Sequence, residues 1–133
     1  GLAKFHLLDF ALNGKKDPIS FFTRKYKNNA YFKEVVQGIK MFKSLKSKSH
    51  NYVVKKIGIS CRYPGTFNSA IHAIIKSNNY KSAILSTIRA GGCNCSRSNF
   101  VGSYFAALKG FKTIPANWIL KCLHSRKIIS LSK

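Results

Sequence analysis

Apolar residues recur along this chain mostly in steps of three and four, the spacing of one face of an α-helix. Leu2, Phe5 and Leu8 fall on one face of a first segment, which Asn13-Gly14 closes. Asp17-Pro18 is a helix start, with Asp as N-cap and Pro at the first helical position. Ile19, Phe22 and Tyr26 then share a face, and Asn28-Asn29 interrupts the pattern. Phe32, Val35, Val36, Ile39, Phe42 and Leu45 predict an amphipathic helix over residues 30–45, with Lys33, Lys40 and Lys43 off the stripe. Residues 44–49 read as a polar linker. A short apolar helix over 52–57 follows, ended by Gly58.

The second half begins with a turn, Cys61-Arg62-Tyr63-Pro64-Gly65, because Pro presets its own φ and Gly tolerates positive φ. Thr66 is placed to cap the next helix, whose inner face carries Phe67, Ala70, Ile71, Ile74 and Ile75. Asn78 or Asn79 opens another helix. Tyr80, Ala83, Ile84, Thr87 and Ile88 form its stripe, and Gly91-Gly92 stops it. A further helix is expected from about Ser96 to Leu108, with Phe100, Val101, Tyr104, Phe105 and Leu108 inward and small Gly102 and Ala106 suited to close packing. Gly110 ends it, and Pro115 starts a last helix with Trp118, Ile119 and Cys122. Trp118 is expected to anchor the core against the preceding helix. The basic tail, residues 125–133, is expected to fray, and 128–131 is the single stretch with any strand character. The prediction is an all-α fold, a compact orthogonal or bundle-like assembly over residues 1–133.

Length allows one real core, since the chain has 133 residues. Charge changes the picture more. The formal net charge is +21, from 24 Lys and Arg against Asp9, Asp17 and Glu34. No carboxylate side chain follows Glu34, so acid–base chemistry by Asp or Glu and hard-metal carboxylate sites are excluded from residues 35–133. The surplus points either to a lysine-decorated solvated surface or to a polyanionic partner such as nucleic acid. No run approaches the roughly 18 apolar residues of a membrane span. Lys4, His6 and Asp9 break up the N-terminus as a signal peptide, so a cytoplasmic chain is expected, without membrane association. The first residue is Gly, which fits a processed chain or a piece of a longer one. Without a secretory signal, Cys61, Cys93, Cys95 and Cys122 are expected as free, buried or partly buried thiols.

One stretch carries a specific order of motifs. Gly58-Ile59-Ser60-Cys61 leads to Pro64-Gly65-Thr66-Phe67. A helix pair then ends in Ile88-Arg89-Ala90-Gly91-Gly92-Cys93-Asn94-Cys95-Ser96-Arg97, and Gly110 to Trp118 contains Ile114-Pro115. This resembles the ADP-ribosylglycohydrolase family, which has a Gly-Gly-Asp-x-Asp-Thr/Ser motif between two helices and a Gly…Ile-Pro…Trp ending. The Cys-rich form is most similar to its J1-crystallin branch. The resemblance runs over residues 57–121. It implies an all-α fold of that type, present here in part, with a binuclear magnesium centre and hydrolysis of glycosidic bonds to ADP-ribose. The family's two metal-binding aspartates fall on Cys93 and Cys95, the following hydroxyl residue on Ser96 and the glycines on Gly91 and Gly92. Asn94 and Arg97 complete the positions where an ADP-ribose-like ligand would be met.

The departures bear on chemistry. Magnesium wants about six hard oxygen ligands, whereas thiols are soft and suit zinc or copper(I). No bound cofactor and no catalytic residue are therefore expected, and a non-catalytic or structural role is the leading reading. A thiolate metal site joining Cys93 and Cys95 to Cys61 or His72 is set against small buried thiols, and a redox-reactive Cys95 at a helix start is a further reading. Arg89 and Arg97 flank the turn, either as surface residues or as phosphate contacts. His72 is expected to be partly buried and satisfied; His6, His50 and His124 are expected at the surface. The alternatives are a basic nucleic-acid-binding module and the C-terminal piece of an active hydrolase. A fragment would also expose an apolar face and self-associate.

Overall fold

The computed structural model describes residues 1–57 and 59–131, and Gly58, assigned above as a helix stop, lies outside them. The described residues form helices and turns, without a strand. The helices are α1 (Leu2–Leu12), α2 (Pro18–Lys25), α3 (Lys33–Ser44), α4 (His50–Ile57), α5 (Gly65–Lys76), α6 (Tyr80–Arg89), α7 (Asn94–Lys109), α8 (Ala116–Lys121) and α9 (Ser125–Leu131). Short 3-10 turns precede α3 and α8, at Ala30–Phe32 and Phe111–Thr113.

The two central helices are α7, packed by α1, α5 and α6, and α5, which also meets α3 and α4. Stripes from all of them make one apolar core around Leu7, Phe22, Ile39, Phe42, Val53, Ile71 and Val101, each almost inaccessible to water. Full burial of side chains of this size contributes about 1.5–3 kcal/mol apiece. The α3 stripe is buried from Phe32 to Phe42, with Lys33, Lys40 and Lys43 exposed. Caps hold where they were expected. Asp17 accepts from Ser20 N–H at 3.0 Å, and Asn79 from Ser82 N–H at 2.9 Å. Gly102 lets Tyr80 of α6 approach α7: a Cβ there would stand 3.3 Å from the Tyr80 hydroxyl.

Several local expectations need correction. In α1 the inward residues are Leu7, Phe10 and Ala11, while Leu2 and Phe5 are exposed. The segment is apolar nearly all round, so period alone does not choose its face; packing on α2 and α7 does. Ile88 is half exposed at the end of α6. Thr66 does not cap α5, which begins one residue earlier; its hydroxyl donates to Ser60 O at 2.9 Å. The glycine-turn helix starts at Asn94, ahead of Ser96. Trp118 is half-buried, packs against the core and meets Tyr80 of α6 edge-on at 6.1 Å. Residues 125–131 are helical, which replaces both the frayed tail and the weak strand; 132 and 133 lie outside the described residues.

Candidate functional site

The turn between α6 and α7 is shaped by two glycines in the left-handed region, Gly91 at φ +72° and Gly92 at φ +70°. At Gly92 space is as restrictive as angle. A side-chain carbon would run into the backbone oxygen of Ile59 and stand 2.6 Å from its Cβ. The close approach lets Cys93 N–H donate to Ile59 O at 2.9 Å, which ties the turn to the segment leading into α5.

That tie places Cys93, the N-cap of α7, against Cys61, and the two form a disulfide with Cα atoms 5.3 Å apart. The expectation of free thiols is corrected for these two. Cys95 and Cys122 are free but exposed, not buried. A lone Cys-x-Cys spacing cannot show which partner a fold brings up from 32 residues away. Ser96 Oγ lies 3.3 Å from Cys93 Sγ. Gly91 and Gly92 thus form the bend, Cys93 is covalently engaged, and Cys95 and Ser96 face solvent on the first turn of α7.

Arg97 closes the turn from beneath. It is 1% exposed, and its Nη2 donates to Gly91 O and, at 3.0 Å, to Asn94 Oδ1, while Nε donates to Cys93 O at 3.3 Å. Nη1 is buried and has no hydrogen-bond partner. Burial pushes its proton affinity below the ordinary arginine value, but three neutral acceptors hold the cation. Arg89 is exposed. The two arginines, equivalent in the sequence, have different surroundings.

A second polar cluster lies behind the turn. His72 is fully buried and His50 only 5% exposed, which corrects the surface assignment of His50. Their Nδ1 atoms are 2.9 Å apart, and His72 Nε2 stands 3.2 Å from Leu45 O. The carbonyl only accepts, so His72 carries its proton on Nε2 and accepts at Nδ1 from His50. His50 Nε2 is left as a buried lone pair with no partner. Burial, reinforced by His72, Arg97 and Lys76, pulls the pKa of His50 down to about 4; burial lowers that of His72. His6 is half-buried too, with Tyr26 Oη 3.3 Å from its Nδ1, whereas His124 is exposed as expected.

As metal ligands, the turn residues form a poor set for magnesium. One sulfur is in a disulfide, one is an exposed thiol, a single hydroxyl remains, and a guanidinium lies beneath. The thiolate-metal reading is not assembled either. Cys61 pairs with Cys93, His72 pairs with His50, and among the described residues no three of His, Cys, Asp and Glu gather around a common point.

Comparison with known proteins supplies the affiliation. The profile of the ADP-ribosylglycohydrolase family matches residues 6–133. The chain belongs to the ADP-ribosylglycohydrolase family. Among curated proteins it is similar to crystallin J1A of Tripedalia cystophora, with 39% identity over 85 residues, covering 64% of this chain and 26% of that protein. Crystallin J1B of the same organism is 37% identical over 76 residues, 57% of this chain and 24% of that one. The chain thus spans about a quarter of the length of these relatives. No solved structure gives a significant match. The family match extends over α1 to α4, beyond the 57–121 stretch that carries the motif resemblance. No helix among the described residues is long and apolar enough to cross a membrane.

Proposed function

We propose that this chain is a non-catalytic, structural member of its family, in the manner of the J1-crystallins it resembles, with the magnesium site lost. The observation that carries the reading is the bond between Cys61 and Cys93 at the position where the family places its first metal-binding aspartate. A sulfur in a disulfide has no charge to offer a divalent ion, and the second position, Cys95, is a soft donor. Arg97 adds a fixed positive charge beneath the same turn, which opposes a cation there. Gly91, Gly92 and Asn94 then serve the bend itself, with Asn94 Oδ1 taken by Arg97.

The test is a single-turnover assay on ADP-ribosylated arginine and serine peptides with added Mg²⁺. No product above a denatured control is expected. Release of ADP-ribose would overturn the reading and favour the C-terminal part of an active hydrolase. A parallel NMR titration with ADP-ribose asks whether Gly91, Gly92, Asn94 and Arg97 still meet such a ligand without cleaving it. The nucleic-acid alternative rests on the +21 charge and predicts an affinity falling steeply with salt. The exposed Leu120, Leu123, Ile128 and Leu131 of the α8–α9 region support self-association, which sedimentation would detect.

A further inference from the structure

Beside the disulfide lies an open basin of about 510 Å³, walled by the start of α1, by Tyr31 and Phe32, and by the segment that leads into α5. The two bonded cysteines relate to it differently. Cys61 is exposed and stands in the wall, whereas Cys93 is half-buried and does not line the basin. Thiol–disulfide exchange needs an open approach to one sulfur and a stable thiolate at the other. Cys61 meets the first requirement.

Cys93 meets the second. It is the N-cap residue of α7, a helix of 16 residues, where a side-chain anion faces free first-turn amides and the positive end of the helix. Ser96 Oγ lies 3.3 Å from its sulfur, and a bonded sulfur carries no proton, so the hydroxyl is the donor. The Arg97 guanidinium lies beneath, with Nε on Cys93 O at 3.3 Å. Each of these favours the thiolate over the thiol. The backbone tie between the two segments does not depend on the sulfurs. Cys93 N–H donates to Ile59 O, and Gly92 permits that approach. A released Cys93 thiolate is thus kept beside Cys61, ready to close the bond again.

We propose that Cys61 is a reversible thiolation site for a small thiol that carries carboxylates. The incoming thiolate enters the basin and attacks Cys61 Sγ. A mixed disulfide forms on Cys61, the Cys61–Cys93 bond breaks, and its electron pair leaves on Cys93 as a thiolate. Attack by that thiolate on Cys61 Sγ expels the small thiol, so neither direction consumes an outside oxidant. The basin selects the carboxylates. Lys4 stands half-buried in its wall, with Nζ 5.3 Å from the centre of the Phe100 ring, and no Asp or Glu lines it. This assignment needs the disulfide but not the loss of catalysis.

The test is to expose the 133-residue chain to reduced glutathione without oxygen at about 0.1 M salt, block free thiols with N-ethylmaleimide at set times, and sequence the peptides by mass spectrometry. Before glutathione is added, only Cys95 and Cys122 should react with the maleimide. At early times glutathione should sit on Cys61 and maleimide on Cys93, at least tenfold over the reverse arrangement. Lys4→Gln should slow opening by glutathione at least threefold and leave opening by uncharged 2-mercaptoethanol unchanged. Lys127→Gln, which removes the same charge elsewhere, should change neither rate. Ser96→Ala, which removes the hydroxyl beside the leaving sulfur, should slow both thiols. An adduct mainly on Cys93, a Lys4→Gln effect shared by both thiols or matched by Lys127→Gln, a Ser96→Ala rate equal to the parent's, or a bond that glutathione does not open would each overturn the proposal and leave the non-catalytic reading standing. Four reactive thiols at the outset would remove the support of both.

Discussion

Two polar clusters interrupt an otherwise apolar helical body, and they are held in opposite ways. The α6–α7 turn is fixed by a disulfide, by two glycines in the left-handed region and by a buried guanidinium on three acceptors. The His50–His72 pair has only one side-chain contact between its members and one carbonyl beyond it. The first is over-determined and insensitive to pH. The second depends on both rings staying neutral in a buried site near two cations, Arg97 and Lys76. A small helical domain can thus bury polarity by covalent and geometric constraint, or by a protonation state.

The largest effect should come from breaking the covalent constraint. Cys61 and Cys93 close a loop with a sequence separation of 32, and such a cross-link stabilises by about 3–4 kcal/mol through the unfolded chain. Cys61→Ser should lower the urea midpoint accordingly. Reductant should lower the midpoint of the parent chain and leave the variant where it is. A parent chain indifferent to reductant would show that the sulfurs are not joined.

The histidine pair should break with acid. An unfolded histidine titrates near 6.5 and folded His50 near 4, so between those values the unfolded chain holds a proton that the folded chain does not. Stability contributed by the neutral ring is complete above about pH 7. It is lost as pH falls through 6.5 towards 4, by about 3 kcal/mol in all. Urea midpoints measured from pH 7 to 4.5 should show this slope, and His50→Phe should remove most of it. An identical slope in the variant would place the titrating group elsewhere, at His72 or Asp17.

How much of this was legible in the sequence follows the range of the interactions. The α3 stripe, the Asp17 and Asn79 caps and the bend at Gly91-Gly92 depend on neighbours within a few residues, and the sequence displays them. The face of α1 depends on which helices lie against it. The partner of Cys93 is 32 residues away and that of His50 is 22 residues away. Spacing along the chain carries no signal for such pairs. The resemblance drew attention to this turn through its glycines and its Ile-Pro ending, which are ordered motifs. It said nothing of Cys61 as the bonded partner, because an order of motifs along the chain does not show which cysteines the fold brings together.

The smallest effect separates two residues that the sequence presents as a pair. Arg89 and Arg97 flank the glycine bend on either side, yet one is exposed and the other is 1% exposed. Arg97→Gln removes a charge-assisted set of hydrogen bonds and leaves Gly91 O and Cys93 O short of donors, which should cost about 2 kcal/mol. Arg89→Gln touches no such network and should change stability by no more than about 0.5 kcal/mol. Chemical denaturation of the two variants at pH 7 measures the difference directly. Because each loses one positive charge, relief of the +21 self-repulsion is common to both, and it cancels in the comparison. Equal stabilities would mean that the guanidinium of Arg97 does not clamp the turn, and the bend would then rest on its glycines and its disulfide alone.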